Sequence, residues 1–182
     1  MSVRITYFCH GTTTDNEAHI SSGWKDVALS ELGVRQSKEL REQTKDQTFD
    51  IVFCSDLQRA HTSATLAWEG IYEIVTDARL RECNYGDLNG ASSDIVEPMQ
   101  EDECIEKPFP NGESYEDVKK RVADFLEFLR VNHDGKHVAL VSHKAPQLSL
   151  EVLLNGKTWH EALAADWRKT HSWQPGWGYE VV

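Results

Sequence analysis

Short apolar runs alternate along this chain with longer stretches in which apolar residues recur every three or four positions. Val3-Arg4-Ile5-Thr6-Tyr7-Phe8 alternates and then turns wholly apolar, the signature of a strand that becomes buried. Phe49 to Cys54, Ile71 to Val75 and His137 to Ser142 are further apolar runs, the last reading most clearly as a central strand. Between them the period lengthens. Ser30 reads as the N-cap of a helix continuing through Leu40, with Leu32, Val34, Ser37 and Leu40 as its inward positions. A second helix is expected from Ser55 to about Trp68. A long amphipathic one starts around Glu113 to Asp117 and runs through Val118, Val122, Phe125, Leu126 and Leu129. Pro146 opens a fourth, closed by Asn155-Gly156, and residues 179–182 form an edge strand.

Strand and helix in alternation predict an α/β fold, a three-layer sandwich on a mostly parallel central sheet, with ligands bound outside the carboxyl ends of the strands. The 182 residues suit one domain, 1–182, with no repeat or linker. Residues 91–112 change character. Asp94, Glu97, Glu101, Asp102, Glu103 and Glu106 crowd ahead of Pro108, Pro110 and Gly112, which fits either a solvated insertion or a lid. The tail carries Trp159, Trp167, Trp173 and Trp177, expected in the core or in a homodimer contact rather than in a cofactor box.

A formal net charge of −11 argues against nucleic acid or an anionic membrane as partner and requires a focused positive pocket for any anionic substrate. No run approaches a membrane span, and the first strand begins at once, so a cytoplasmic chain is expected. The four cysteines, Cys9, Cys54, Cys83 and Cys104, show no C-x-x-C spacing, so neither a disulfide framework nor a zinc knuckle is supported.

The predicted strand ends gather the chemistry. His10 leaves the first strand ahead of Gly11 and three threonines, a run suited to a sharp turn and to cradling an oxyanion. Arg59 lies in the first turn of the helix after Cys54-Ser55, Glu82 hangs from the loop over residues 77–90, and His143 ends the central strand. With these motifs in order (Cys9-His10-Gly11, Ser55-x-Leu57-x-Arg59-Ala60, Leu80-x-Glu82-x-x-x-Gly86, and Ser142-His143), nearly the whole chain resembles the histidine phosphatase superfamily, the phosphoglycerate mutase-like phosphohydrolases.

That resemblance implies a phosphohydrolase acting on a small phosphomonoester through a phosphohistidine on His10. Arg59 and His143 would bind the phosphate, Thr13 and Asn16 would orient it through neutral hydrogen bonds, and Glu82 would be the acid. The scheme requires no metal and no cofactor. The chain departs from the family at three positions. Cys9 replaces the arginine before the nucleophile, Thr12 replaces a glutamate, and Lys144 replaces a glycine. One preorganised oxyanion donor is worth ~3 kcal/mol, so loss of the arginine would weaken the enzyme, and Lys144 is one candidate to compensate. A non-catalytic relative that binds a phosphorylated ligand or protein is the alternative, and a phosphoglycerate-type mutase a more distant one. Two expectations attach to the cysteines: that Cys9→Arg raises activity if the space is open, and that Cys9, Cys54 and Cys83 all border the anion site, either as reactive thiolates or as inert buried residues.

Overall fold

A computed structural model describes residues 2–182. In chain order the elements are β1 (Val3–Cys9), α1 (Thr14–Glu17), β2 (Ile20–Ser21), α2 (Glu31–Gln43), β3 (Ile51–Cys54), α3 (Gln58–Trp68), β4 (Ile74–Thr76), β5 (Ala91–Ser92), α4 (Ser93–Gln100), α5 (Tyr115–Asn132), β6 (His137–Ser142), α6 (Lys144–Asn155), α7 (Trp159–Ala164), α8 (Trp167–Thr170) and β7 (Trp177–Val181). The main sheet has the order β4-β3-β6-β1-β7, parallel except for β7 at its edge. A separate two-stranded ribbon pairs β2 with β5.

The period-two pattern sorts the strand side chains between two cores. Val3, Ile5, Tyr7, Phe53, Val138 and Leu140 point to the face covered by α5 and α6. Phe8, Val52, Cys54, Ala139 and Val141 point to the opposite face, against Leu40 of α2 and Ala60, Ala64 and Trp68 of α3. The result is a three-layer sandwich on a mostly parallel sheet. In the β1–β6 register Cys9 lies opposite Ser142, so the residue after each strand, His10 and His143, emerges beside the other.

Three details differ from the sequence reading. Leu32 is 41% exposed, and Gly33 takes the inward position of α2. A Cβ at Gly33 would lie 1.9 Å from the Thr12 carbonyl oxygen, so the helix can approach the loop after β1 only without a side chain there. The third strand is shorter than expected, Ile74–Thr76, with Ile71 exposed. Residues 91–112 are not wholly solvated: α4 and the turn after it bury Val96, Cys104, Ile105 and Phe109 in the α5-side core, while Asp94, Glu97, Asp102, Glu103 and Glu106 are exposed. In the tail, Trp159 is buried, Trp167 stacks on Trp177 with centroids 5.6 Å apart, and Trp173 is exposed.

Candidate active site

His10, Arg59, Glu82, Lys144 and Asn16 line one cleft of about 300 Å³ at the carboxyl ends of the strands. His143 lies beneath it, fully buried, its ring centroid 5.0 Å from that of His10.

Each of these side chains is held from behind. His10 Nδ1 lies 2.7 Å from the Gly11 carbonyl oxygen. A carbonyl can only accept, so Nδ1 carries the proton and Nε2 keeps its lone pair. Removal from water, then the Arg59 charge, lowers the His10 pKa from 6.5 to about 3, with the Gly11 bond opposing them. His143 is held well below the ordinary histidine range, first by burial and then by Arg59 and His10. Among the described residues neither of its ring nitrogens finds a hydrogen-bond partner, whereas its backbone carbonyl accepts from Tyr7 Oη at 2.5 Å.

Arg59 is 3% exposed and ties down the 23–25 loop, donating to the carbonyls of Gly23 at 2.7 Å and Lys25 at 3.2 Å. Burial lowers its pKa from the ordinary arginine value, opposed by Glu82, and the guanidinium is still a cation at neutral pH.

Glu82 does the work of a helix cap. His143, at the N-cap of α6, makes no side-chain capping bond, and the Glu82 carboxylate accepts from Lys144 N (3.1 Å, Oε2) and Ala145 N (3.0 Å, Oε1). Oε1 also accepts from Cys83 N at 2.9 Å. The Glu82 backbone is fixed as well, its carbonyl accepting from Trp24 Nε1 and Arg121 Nη2. Arg121 donates further to the carbonyls of Arg79 and Arg81 and pairs with Glu113.

Thr13 does not reach the cleft. It is fully buried, and its hydroxyl caps α1 by accepting from Asn16 N in a capping box. Thr12 lines the cleft in its place. The Asn16 side-chain oxygen closes the box by accepting from Thr13 N. Lys144 donates to Gln100 Oε1 at 2.9 Å and stands 4.0 Å from Asp166 Oδ2. Of the cysteines, Cys54 and Cys83 are fully buried and only Cys9 lines the cleft, so three thiols do not border the anion site. Burial pushes the Cys9 thiol up from its ordinary value despite the nearby Arg168 cation, and pushes Cys54 up to about 12.

Sequence reasoning missed Arg168. This tail residue lines the cleft and donates through Nη2 to Cys9 Sγ at 3.3 Å. It missed Trp167, Glu97 and Gln100 as lining residues too. No spacing marks Arg168; the one hint is the missing arginine at position 9. No described helix is long and apolar enough to cross a membrane.

Comparison with known proteins accords with this geometry. The family model of the histidine phosphatase superfamily (branch 1) matches residues 5–175. A phosphoglycerate mutase of Schizosaccharomyces pombe is 32% identical over 165 residues, 82% of this chain and 78% of the relative. Phosphoserine phosphatase 1 of Hydrogenobacter thermophilus is 29% identical over 162 residues, 85% of this chain and 77% of the relative. Among solved structures, a mycobacterial glucosyl-3-phosphoglycerate phosphatase in complex with VO3 superposes with a TM-score of 0.76 at 26% identity, over 90% of this chain and 86% of that one. The chain therefore belongs to branch 1 of the histidine phosphatase superfamily.

Proposed function

We propose that the protein is a phosphohydrolase that cleaves small phosphomonoesters through a phosphohistidine at His10. The observation that carries this reading is the Nδ1 bond of His10 to its neighbour's carbonyl, which leaves Nε2 unprotonated and beside a second histidine in a cationic cleft.

In the first step the Nε2 lone pair forms a bond to phosphorus while the ester P–O bond breaks, and the departing alkoxide takes a proton from the Glu82 carboxyl. Glu82 Oε2, with one backbone donor against two at Oε1, is the better placed oxygen to carry that proton. In the second step water passes a proton back to Glu82, its oxygen attacks phosphorus, and the N–P bond electrons return to His10. Ester and water become alcohol and phosphate. Arg59 neutralises the equatorial oxygens in both steps. The arriving phosphate supplies the counter-charge that His143 lacks, turning its unpartnered ring into a donor.

The S. pombe relative's name suggests transfer to a second substrate as the other reading. Glu97, which lines the same cleft, would repel the second phosphate of a bisphosphate and favours hydrolysis. The test is turnover of p-nitrophenyl phosphate and of alkyl phosphomonoesters in the presence of chelator. Release of inorganic phosphate by the wild type, lost by a thousandfold or more in a folded His10→Asn variant, is expected. Turnover that survives His10→Asn overturns the mechanism, and phosphate binding without turnover points to the non-catalytic alternative.

A further inference from the structure

We propose that Arg168, from the C-terminal tail, supplies the guanidinium missing from position 9 and binds the transferring phosphoryl group directly. This rests on the phosphoryl-transfer reading of the same cleft. The side chain reaches the end of β1 from the opposite end of the sequence and ends at Cys9 Sγ, 3.3 Å away, on the residue before His10. A thiol is a poor acceptor, so that bond yields readily to an anionic phosphate oxygen, for which a guanidinium makes stronger charge-assisted bonds.

The rest of the guanidinium is preorganised. Nη1 donates to Asp166 Oδ1 at 2.9 Å and to Gln147 Oε1 at 3.4 Å, and the group packs over the Trp167 ring with 4.4 Å to its centroid. Asp166 is itself buried and also accepts from the Arg168 backbone N–H. Gln147 Oε1 accepts in addition from Trp167 Nε1, so one glutamine of α6 fixes both neighbouring tail residues. Burial opposes the Arg168 charge, the Asp166 carboxylate at 2.9 Å favours it, and the group stays a cation. Lys144, the compensator suggested by sequence, is bonded to Gln100 and offers a point charge where a planar fork is needed. Cys9 and Arg168 are therefore complementary: a longer side chain at position 9 would claim the space that the tail guanidinium fills.

The test compares wild type, Arg168→Met, Arg168→Lys, Cys9→Arg and the double variant Cys9→Arg/Arg168→Met. The readouts are kcat/KM for p-nitrophenyl phosphate and the dissociation constant of vanadate. Arg168→Met is expected to lose about a hundredfold or more in kcat/KM, with vanadate binding weakened in parallel. The double variant should recover at least tenfold over the single, a rescue that a merely structural tail contact would not show. Cys9→Arg alone should not exceed wild type. If Arg168→Met fails to fold, Arg168→Lys serves, with a loss of tenfold or more expected. Arg168 variants within threefold of wild type in both readouts overturn the inference. Wild type that binds vanadate through Arg168 yet turns over no ester sinks the phosphatase reading and leaves the anion site standing. Wild type that binds no vanadate overturns both.

Discussion

The rings of His10 and His143 face each other at 5.0 Å in a 57° tilt, and both titrate below their ordinary range. The β1–β6 register places them so, and two imidazoles this close to Arg59 cannot readily both be protonated.

A pH dependence of stability follows. The His10 pKa is near 3 when folded and about 6.5 when unfolded, so the unfolded chain binds more protons between those values. Stability should fall as pH drops through that window, by up to about 1.4 kcal/mol per pH unit for each such histidine. Denaturant titrations between pH 4 and 7.5 should show a steeper acid loss in wild type than in His10→Asn. Equal slopes would mean that the ring is protonated in the native state.

The Glu82 assignment predicts a dependence on the leaving group. Glu82→Gln retains an acceptor for the α6 N–H groups but carries no transferable proton, so alkyl phosphates should lose at least tenfold more kcat than aryl phosphates, which leave unaided. Equal losses on both ester types would place the acid elsewhere. Arg121→Met should show a weaker version of the same bias and lower stability by about 3 kcal/mol, because three part-buried carbonyls and Glu113 lose a charged donor.

Cys9 should react, but slowly. Its thiol is pushed up by burial, so alkylation by iodoacetamide at pH 7 should run below the rate of a free thiol, rise with pH and slow when vanadate is present. Cys54, Cys83 and Cys104, each at most 1% exposed, should stay unmodified while the fold is intact. Peptide mass mapping that finds Cys9 labelled faster than a model thiol would contradict this and restore a reactive thiolate.

Gly33→Ala should destabilise the fold by about 1–3 kcal/mol and lower turnover, since the added methyl meets the Thr12 carbonyl at 1.9 Å and must displace either α2 or the loop carrying His10. An unfolding midpoint equal to wild type would show that the two segments are not packed as described.

Much of this arrangement was legible in the sequence because it depends on local pattern. Apolar runs located the β1, β3 and β6 ends, and with them His10, Arg59 and His143. Alternatives failed where a tertiary contact decides. Leu32 reads inward by spacing, yet the close approach of α2 to Thr12 puts Gly33 there and turns Leu32 to solvent. Thr13 has the right chemistry for an anion, but its hydroxyl is consumed in capping α1. Cys54 and Cys83 adjoin site residues in sequence and point away from them into the interior. Arg168 was invisible because no local period links it to Cys9; its position depends on the tail returning over the sheet, with Trp167 stacked on Trp177 of the antiparallel edge strand.

The central claim is covalent chemistry at His10, and rapid quenching into base followed by peptide mass spectrometry tests it most directly. After milliseconds with p-nitrophenyl phosphate, a phosphoryl group that survives base and is lost in acid should appear on the peptide holding His10. The peptide holding His143 should stay unmodified. Phosphate released in single turnover with no label on His10 at any time, or a label on His143 instead, would contradict the account.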